Sequence, residues 1–374
     1  MHNKGIANNL LLKIIAYSVL FFSKIVFWKK KQRTWLVACG GDRWGDNADA
    51  FWHFMNKNYP EIKTLAVVKN KKAINASLKN WIKRNRLSTF IQIMQAEVLA
   101  TTHTLSDIGP ESLTSLAKAK KIWLQHGVIA IGKITAKKAK AEEYDLICAS
   151  SSMEKHIMTD VIGIKPELLA ITGLARHDRL KNRVNKGLKR EGILYIPTSR
   201  SWFNASQKKY YENLLFRWVI NLLQKEEKKE IKIWLHPGWY KHDLEIQGLS
   251  YGNVRSFGLE ADPQELICES KLLITDYSSV FFDAALSGIP TIFYQPDRSY
   301  YIERKGLLRD FLEQDLLLVV DNQSDLLLQI DKILSNSDYY ERRLKKDQEW
   351  AFKYVETFDG HSCQRIFQQI ANIL

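Results

Sequence analysis

The chain has 374 residues, 45% of them hydrophobic, with 11 Trp, 15 Tyr and 16 Phe; this suffices for two domain cores and excludes a disordered chain. Its 55 Lys and Arg against 41 Asp and Glu leave a formal charge of +14, which favours anionic partners: acidic lipid, phosphorylated substrates or nucleic acid. Cys39, Cys148, Cys268 and Cys363 never form a C-x-x-C pair, so the spacing implies neither a structural zinc site nor a disulfide framework, and it fits a reducing compartment.

Residues 1–33 stand apart. From Leu10 to Trp28 the chain is almost wholly apolar, broken mainly by Lys13, Ser18, Ser23 and Lys24, and followed by Lys29-Lys30-Lys31. As a helix this run would cover roughly 28 Å. Lys13 and Lys24 fall near three helical turns apart and so share a face. The expectation is an amphipathic helix lying on an anionic membrane surface, with the protein peripheral on the cytoplasmic side. No small-residue cleavage site follows the run, which argues against a signal peptide. The alternative is a first helix buried in the core.

From residue 34 to 180 strand-like and helix-like stretches alternate. Strands are expected at Trp35–Cys39, Thr64–Val68, Val98–Thr102, Ile122–Leu124, Leu146–Ala149 and Leu168–Ile171, with helices at Asn47–Asn56 and Lys72–Arg84. Leu180–Glu191 reads as a basic connector. A second series, within residues 181–374, has strands at Ile193–Ile196, Ile231–Leu235, Val254–Phe257, Leu272–Thr275, Thr291–Tyr294 and Leu316–Val319. Helices are expected at Gln207–Lys225, Ser278–Leu286, Ser324–Leu334 and Tyr339–Val355, with a last one from Ser362. Such alternation predicts an α/β chain of two successive Rossmann-like domains with parallel sheets, and two such domains facing a cleft are, by analogy of fold, the GT-B arrangement.

Three segments close apolar strands and break into polar turns: Trp123-Leu124-Gln125-His126-Gly127, Trp234-Leu235-His236-Pro237-Gly238 and Thr275-Asp276-Tyr277-Ser278-Ser279. In open α/β sheets, ligands bind beyond the carboxyl ends of the strands. His126 and His236 are the candidates for acid–base work, because imidazole titrates near neutrality. Gly127 and Pro237-Gly238 leave little bulk beside each ring. Each histidine read alone is more often a hydrogen-bonded loop residue; the case rests on the three segments together. Ser278 and Ser279 open a helix and offer hydroxyl donors to an anion. Asp276 suits capping, or accepting hydrogen bonds from sugar or polyol hydroxyls. The loop Gly40–Asn47 follows the first strand and reads either as a cleft-facing loop or as a plain turn. His2, His53, His103, His156, His177, His242 and His361 have weaker context. No H-E-x-x-H, D-x-D, P-loop or G-x-G-x-x-G motif is present, so no metal or cofactor is implied.

The run Leu273–Asp283, continued by Gly288-Ile289-Pro290 and Phe293-Tyr294, resembles the C-terminal signature of the CDP-glycerol glycerophosphotransferases, the teichoic-acid primases and polymerases. His126-Gly127, Thr172–Leu180 with Arg176 and Asp178, Pro197-Thr198-Ser199-Arg200, His236-Pro237 and Phe358-Asp359-Gly360 through Arg365 resemble its other segments, in the same order. The chain differs at Val128-Ile129, where Thr-Pro is usual after His-Gly, and at Trp234-Leu235. The resemblance implies transfer of glycerol phosphate from CDP-glycerol to a hydroxyl of a polyprenyl-diphosphate-linked saccharide, with release of CMP and primase-like addition. It implies His126 as general base and His236 as a phosphate ligand or second acid–base group. Ser278 and Ser279 would hold the diphosphate with Arg200 a further contact, Gly127, Pro237 and Thr275 would complete the substrate contacts, and Asp276 and Asp283 would make polyol or structural hydrogen bonds. On this reading residues 34–180 are the acceptor side and 181–374 the CDP-glycerol side. The same scaffold could take CDP-ribitol or a nucleotide sugar. A basic nucleic-acid-binding protein, suggested by Lys69–Arg86, lacks any recognition module.

Overall fold

The computed structural model describes residues 33–40, 44–69, 78–131, 141–200, 202, 205–219, 230–236, 239, 250–251, 253–258, 261–308, 311 and 315–374. The expected membrane-associating helix within residues 1–33 lies outside them, as do Pro237 and Gly238. No helix among the described residues is long and apolar enough to cross a membrane.

The chain divides into two compact units. One comprises Met1–His126, Ala136–Arg179 and Asp359–Leu374, the other Gly127–Thr135 and Leu180–Phe358. The first is built on β1 (Thr34–Ala38), β2 (Lys63–Val68), β3 (Trp81–Lys83), β4 (Val98–Thr101), β5 (Lys120–Trp123), β6 (Leu146–Ala149) and β7 (Leu169–Ile171). These pair in the order β3-β2-β1-β4-β5-β6-β7, every pair parallel. Parallel strands are covered on both faces, which explains why β1 (Thr-Trp-Leu-Val-Ala) is buried at all five positions. The helix Asp46–Asn58 buries Phe51, Trp52 and Met55, with Asp46 and Asp49 in its first turn and Lys57 in its last, as the helix dipole favours.

The second unit is built on β8 (Ile193–Ile196), β9 (Ile231–Trp234), β10 (Ser250–Tyr251), β11 (Val254–Phe257), β12 (Leu272–Thr275), β13 (Thr291–Tyr294) and β14 (Val319–Val320). Their order is β10-β11-β9-β8-β12-β13-β14, parallel except for the β10–β11 pair. Strand order reverses direction at β1/β4 in the first sheet and at β8/β12 in the second. A crevice outside the strand ends forms at such a switch point.

Several expectations need correction. Lys72–Arg84 is not one helix: Trp81 and Ile82 pair with Ala66 and Val67 as edge strand β3. An aromatic and a β-branched residue fit that half-covered position, and the open edge of β2 supplies the partners. Leu180–Glu191 is not simply a connector, since the helix Ala175–Val184 runs into it. Within the expected helix Gln207–Lys225 the described residues are helical, through Lys208–Tyr211, the wide turn Glu212–Phe216 and residues 217–219, and residues 220–225 lie outside the described ones. The last helix, Ser362–Ile373, belongs to the first unit rather than to the C-terminal domain. Its Cys363, Ile366 and Ile370 share a core with Trp35, Phe51 and Met55. Asp178 holds its start, accepting the Ser362 and Cys363 N–H groups at 2.8 Å each. Gly173 allows that approach; it has φ +74°, and a Cβ there would meet Ser362 Oγ at 2.5 Å.

Candidate active site

In the first unit, His126 follows β5 and is exposed over 59% of its side chain. Its Nδ1 lies 2.5 Å from Asp46 Oδ2 at the start of the helix Asp46–Asn58. Arg176 Nη1 donates to Asp46 Oδ1 at 2.9 Å and also to the His126 carbonyl. Asn47 joins the same elements: its Nδ2 donates to the Gln125 carbonyl at 2.8 Å, and its Oδ1 accepts the Arg176 N–H at 2.9 Å. Burial opposes charge on Asp46, yet the facing His126 and Arg176 outweigh it and hold the carboxyl well below its ordinary range.

Asp46 and Gln125 both adopt left-handed backbone, with φ 61° and 60°. Each such residue costs about 1–3 kcal/mol and persists only where its surroundings hold it. Here Asn47 and Arg176 do so. The outcome is an ionised carboxylate that accepts the Nδ1 proton of a solvent-facing imidazole. Nε2 is then a bare acceptor, the arrangement a general base needs.

In the second unit, Arg200 is the centre of a buried cluster beyond β8. Its Nη1 donates to Asp276 at 2.7 Å and its Nε to Asp297 at 2.8 Å, and the side chain has no exposed surface. Burial disfavours the guanidinium, but Asp276 and then Asp297 more than offset this and raise its pKa further. Asp276 also accepts the Thr198 N–H at 3.0 Å, the Thr198 hydroxyl and the Tyr277 N–H at 2.6 Å. Tyr277 and Tyr301 stack at 3.6 Å, each ring about 5 Å from the Arg200 guanidinium (5.2 and 5.1 Å). Thr275 donates its hydroxyl to the Ile196 carbonyl at 2.7 Å, tying β12 to β8.

These contacts turn several of the expected substrate contacts inward. Arg200, Thr275 and Asp276 are buried with their polar atoms engaged inside the protein, and Asp283 is only 3% exposed in the helix Val280–Leu286. Arg200, Thr275 and Asp276 thereby tie together the loops at the β8/β12 switch point, and Asp276 and Asp283 fit the structural role also expected for them. Ser278 and Ser279 remain partly exposed. Ser279 makes no side-chain capping bond, while Ser278 Oγ accepts the Val280 N–H at 3.3 Å. His236 follows β9, half-buried, its carbonyl accepting the Trp239 N–H at 2.8 Å. Gly127 begins the segment that belongs to the second unit. Among the described residues, no group of three or more His, Cys, Asp or Glu is arranged to hold a metal ion.

Sequence reasoning missed Asp46, Asn47 and His103 as site residues. The signals were the loop Gly40–Asn47 after the first strand, and Arg176 in the segment Thr172–Leu180.

Two parallel-sheet α/β units, one carrying an exposed histidine braced by a buried carboxylate and an arginine, define the class. A sequence profile of the CDP-Glycerol:Poly(glycerophosphate) glycerophosphotransferase family matches residues 18–372, and the chain belongs to that family. It is 27% identical over 252 residues to the teichoic acid glycerol-phosphate transferase of Staphylococcus aureus (strain NCTC 8325 / PS 47), covering 62% of each chain. It is 25% identical over 242 residues to the teichoic acid glycerol-phosphate primase of Bacillus subtilis (strain 168), covering 62% of this chain and 58% of that one. The matched part thus spans less than two thirds of these relatives. The solved structure of the wall teichoic acid polymerase TagF superposes with a TM-score of 0.76 at 19% identity, over 98% of this chain and 95% of that one. That likeness concerns the fold.

Proposed function

We propose that the chain transfers glycerol phosphate from CDP-glycerol to a hydroxyl of a polyprenyl-diphosphate-linked saccharide, releasing CMP, in primase-like fashion during teichoic-acid synthesis. The observation that carries this reading is the exposed His126 imidazole with Nδ1 on Asp46, in a chain of this family. The acceptor O–H bond breaks and its proton passes to His126 Nε2. The oxygen attacks the phosphorus that bears glycerol, and the bond from that phosphorus to CMP breaks, its electron pair leaving on CMP. Reactions of this kind depend on positioning and charge stabilisation more than on covalent catalysis. His236, Ser278 and Ser279 are the proposed contacts to the donor diphosphate. The charge of +14 favours both the anionic donor and the anionic acceptor. Work on a lipid-linked acceptor fits a peripheral protein on the cytoplasmic face of the membrane, held by residues 1–33.

The test is CMP release by the full chain from CDP-glycerol, CDP-ribitol and a nucleotide sugar, with a lipid-linked saccharide present. Acceptor-dependent release fastest from CDP-glycerol is expected. Faster release from CDP-ribitol, or none from CDP-glycerol, would overturn the assignment.

A further inference from the structure

The first unit holds a second imidazole for which the proposed reaction has no use. His103 follows β4, at the β1/β4 switch point, and its ring centroid lies 4.4 Å from that of His126, the planes 36° apart. Both residues are exposed. Gly40 provides the space: a Cβ there would sit 2.4 Å from His103 Nδ1 and 2.6 Å from its Cγ, so any side chain would displace the ring.

Hydrogen bonding assigns the tautomer. Thr102 Oγ1 lies 2.8 Å from His103 Nδ1 and accepts the Gly40 N–H at 3.4 Å. Its single proton has two candidate acceptors, Nδ1 at 2.8 Å and the Cys39 sulfur at 3.8 Å. The nearer nitrogen is the better acceptor, so neutral His103 carries its own proton on Nε2. Desolvation by the surrounding protein lowers the His103 pKa and so favours its neutral form. His126, with its Nδ1 proton on Asp46, presents a bare Nε2. The two rings offer one acceptor and one donor side by side.

We infer that His103 selects the acceptor: its Nε2–H donates to the hydroxyl on the carbon next to the attacking one, so this site takes a vicinal diol, as at the end of a polyol or on a sugar. The inference rests on the transferase reading for calling that ligand the acceptor. Two hydroxyls on adjacent carbons are close enough to meet both rings, one on each. An isolated alcohol would satisfy His126 alone.

The experiment measures binding to the full chain of glycerol 3-phosphate and of 3-hydroxypropyl phosphate, which lacks only the middle hydroxyl. Wild type should bind the diol roughly 3- to 10-fold more tightly, the ratio expected for one net hydrogen bond. In His103→Asn the amide reproduces Nδ1 against Thr102 but has nothing at Nε2, and the preference should vanish. In His103→Gln the amide nitrogen reaches near Nε2, and part of the preference should return. A role limited to packing on Gly40 would not separate Asn from Gln. A wild-type chain without the preference, or an Asn variant that keeps it, overturns the inference. A chain that prefers the diol yet releases no CMP from CDP-glycerol keeps the diol site and overturns the transferase reading instead.

Discussion

Asp46 and His126, 80 positions apart in sequence, meet at 2.5 Å between Oδ2 and Nδ1. The contact fixes both the ring orientation and the tautomer of an otherwise open histidine. His126→Ala should lower CMP release by ~10²–10⁴, the usual contribution of a positioned general base. Asp46→Asn should lower turnover toward the same range, because an amide facing Nδ1 no longer demands the proton there. Circular dichroism would establish that both variants fold. A folded His126→Ala variant that retains wild-type turnover removes His126 from the mechanism.

Arg200 is a matter of stability before it is one of catalysis. Its guanidinium is enclosed between Asp276 and Asp297. Replacing one partner of a buried pair leaves the others charged and uncompensated, at a cost of about 3–5 kcal/mol. Arg200→Ala should therefore lower the denaturant midpoint of the second unit by a corresponding amount. An unchanged midpoint would mean that the cluster contributes little to the fold.

The turn before the last helix should respond to acid. The two Arg365 donors on Asp359, at 2.8 and 3.1 Å, hold its carboxyl down to about 2. A carboxyl depressed in the folded state contributes stability that is present above its unfolded value, ~3.9, and lost as pH falls through the folded one. The melting temperature of wild type should exceed that of Asp359→Asn at neutral pH, modestly, because the pair is partly exposed. The gap should close between about pH 4 and about pH 2. A gap independent of pH would mean that the ion pair with Arg365 is not its source.

Residues 10–31 should hold the enzyme on the membrane without forming part of its catalytic centre. A chain beginning near Gln32 should stop co-sedimenting with anionic liposomes, yet still release CMP with a short soluble acceptor. Burial of the apolar face contributes roughly 25 cal/mol per Å² and is not screened by salt, so salt should only partly release the full-length protein. If the shortened chain unfolds, the segment is a core helix. If it still sediments, the anchor lies elsewhere.

The strands were legible because apolar runs bounded by polar turns are local signals. Leu146–Ala149, Ile193–Ile196, Leu272–Thr275 and Thr291–Tyr294 stand at the bounds expected from sequence. Periodicity misled at Trp81–Lys83, where an amphipathic pattern masked an edge strand that exists only because β2 lies beside it. Each candidate site segment was visible as a strand end followed by a turn, and His126 could be chosen on that ground alone.

Its partners could not be chosen in the same way. Asp46, Asn47, His103 and Arg176 come from three separate segments, after β1, β4 and β7, and they converge because β1, β4 and β5 are adjacent in the sheet while the Thr172–Arg176 turn follows β7. Burial likewise separated neighbours: packing encloses Arg200, Asp276 and Asp283, a structural role that the sequence offered only as an alternative for the two aspartates, whereas Ser278 and Ser279 keep open surface. The sequence by itself determined the apolar periods, the turn residues and hence the α/β class with its family. Strand order, the unit that takes the last helix and the pairing of His126 with Asp46 were decided only by the tertiary structure. Propensity acts over a few neighbouring residues, whereas charge pairing and burial depend on which distant segments the sheet brings together.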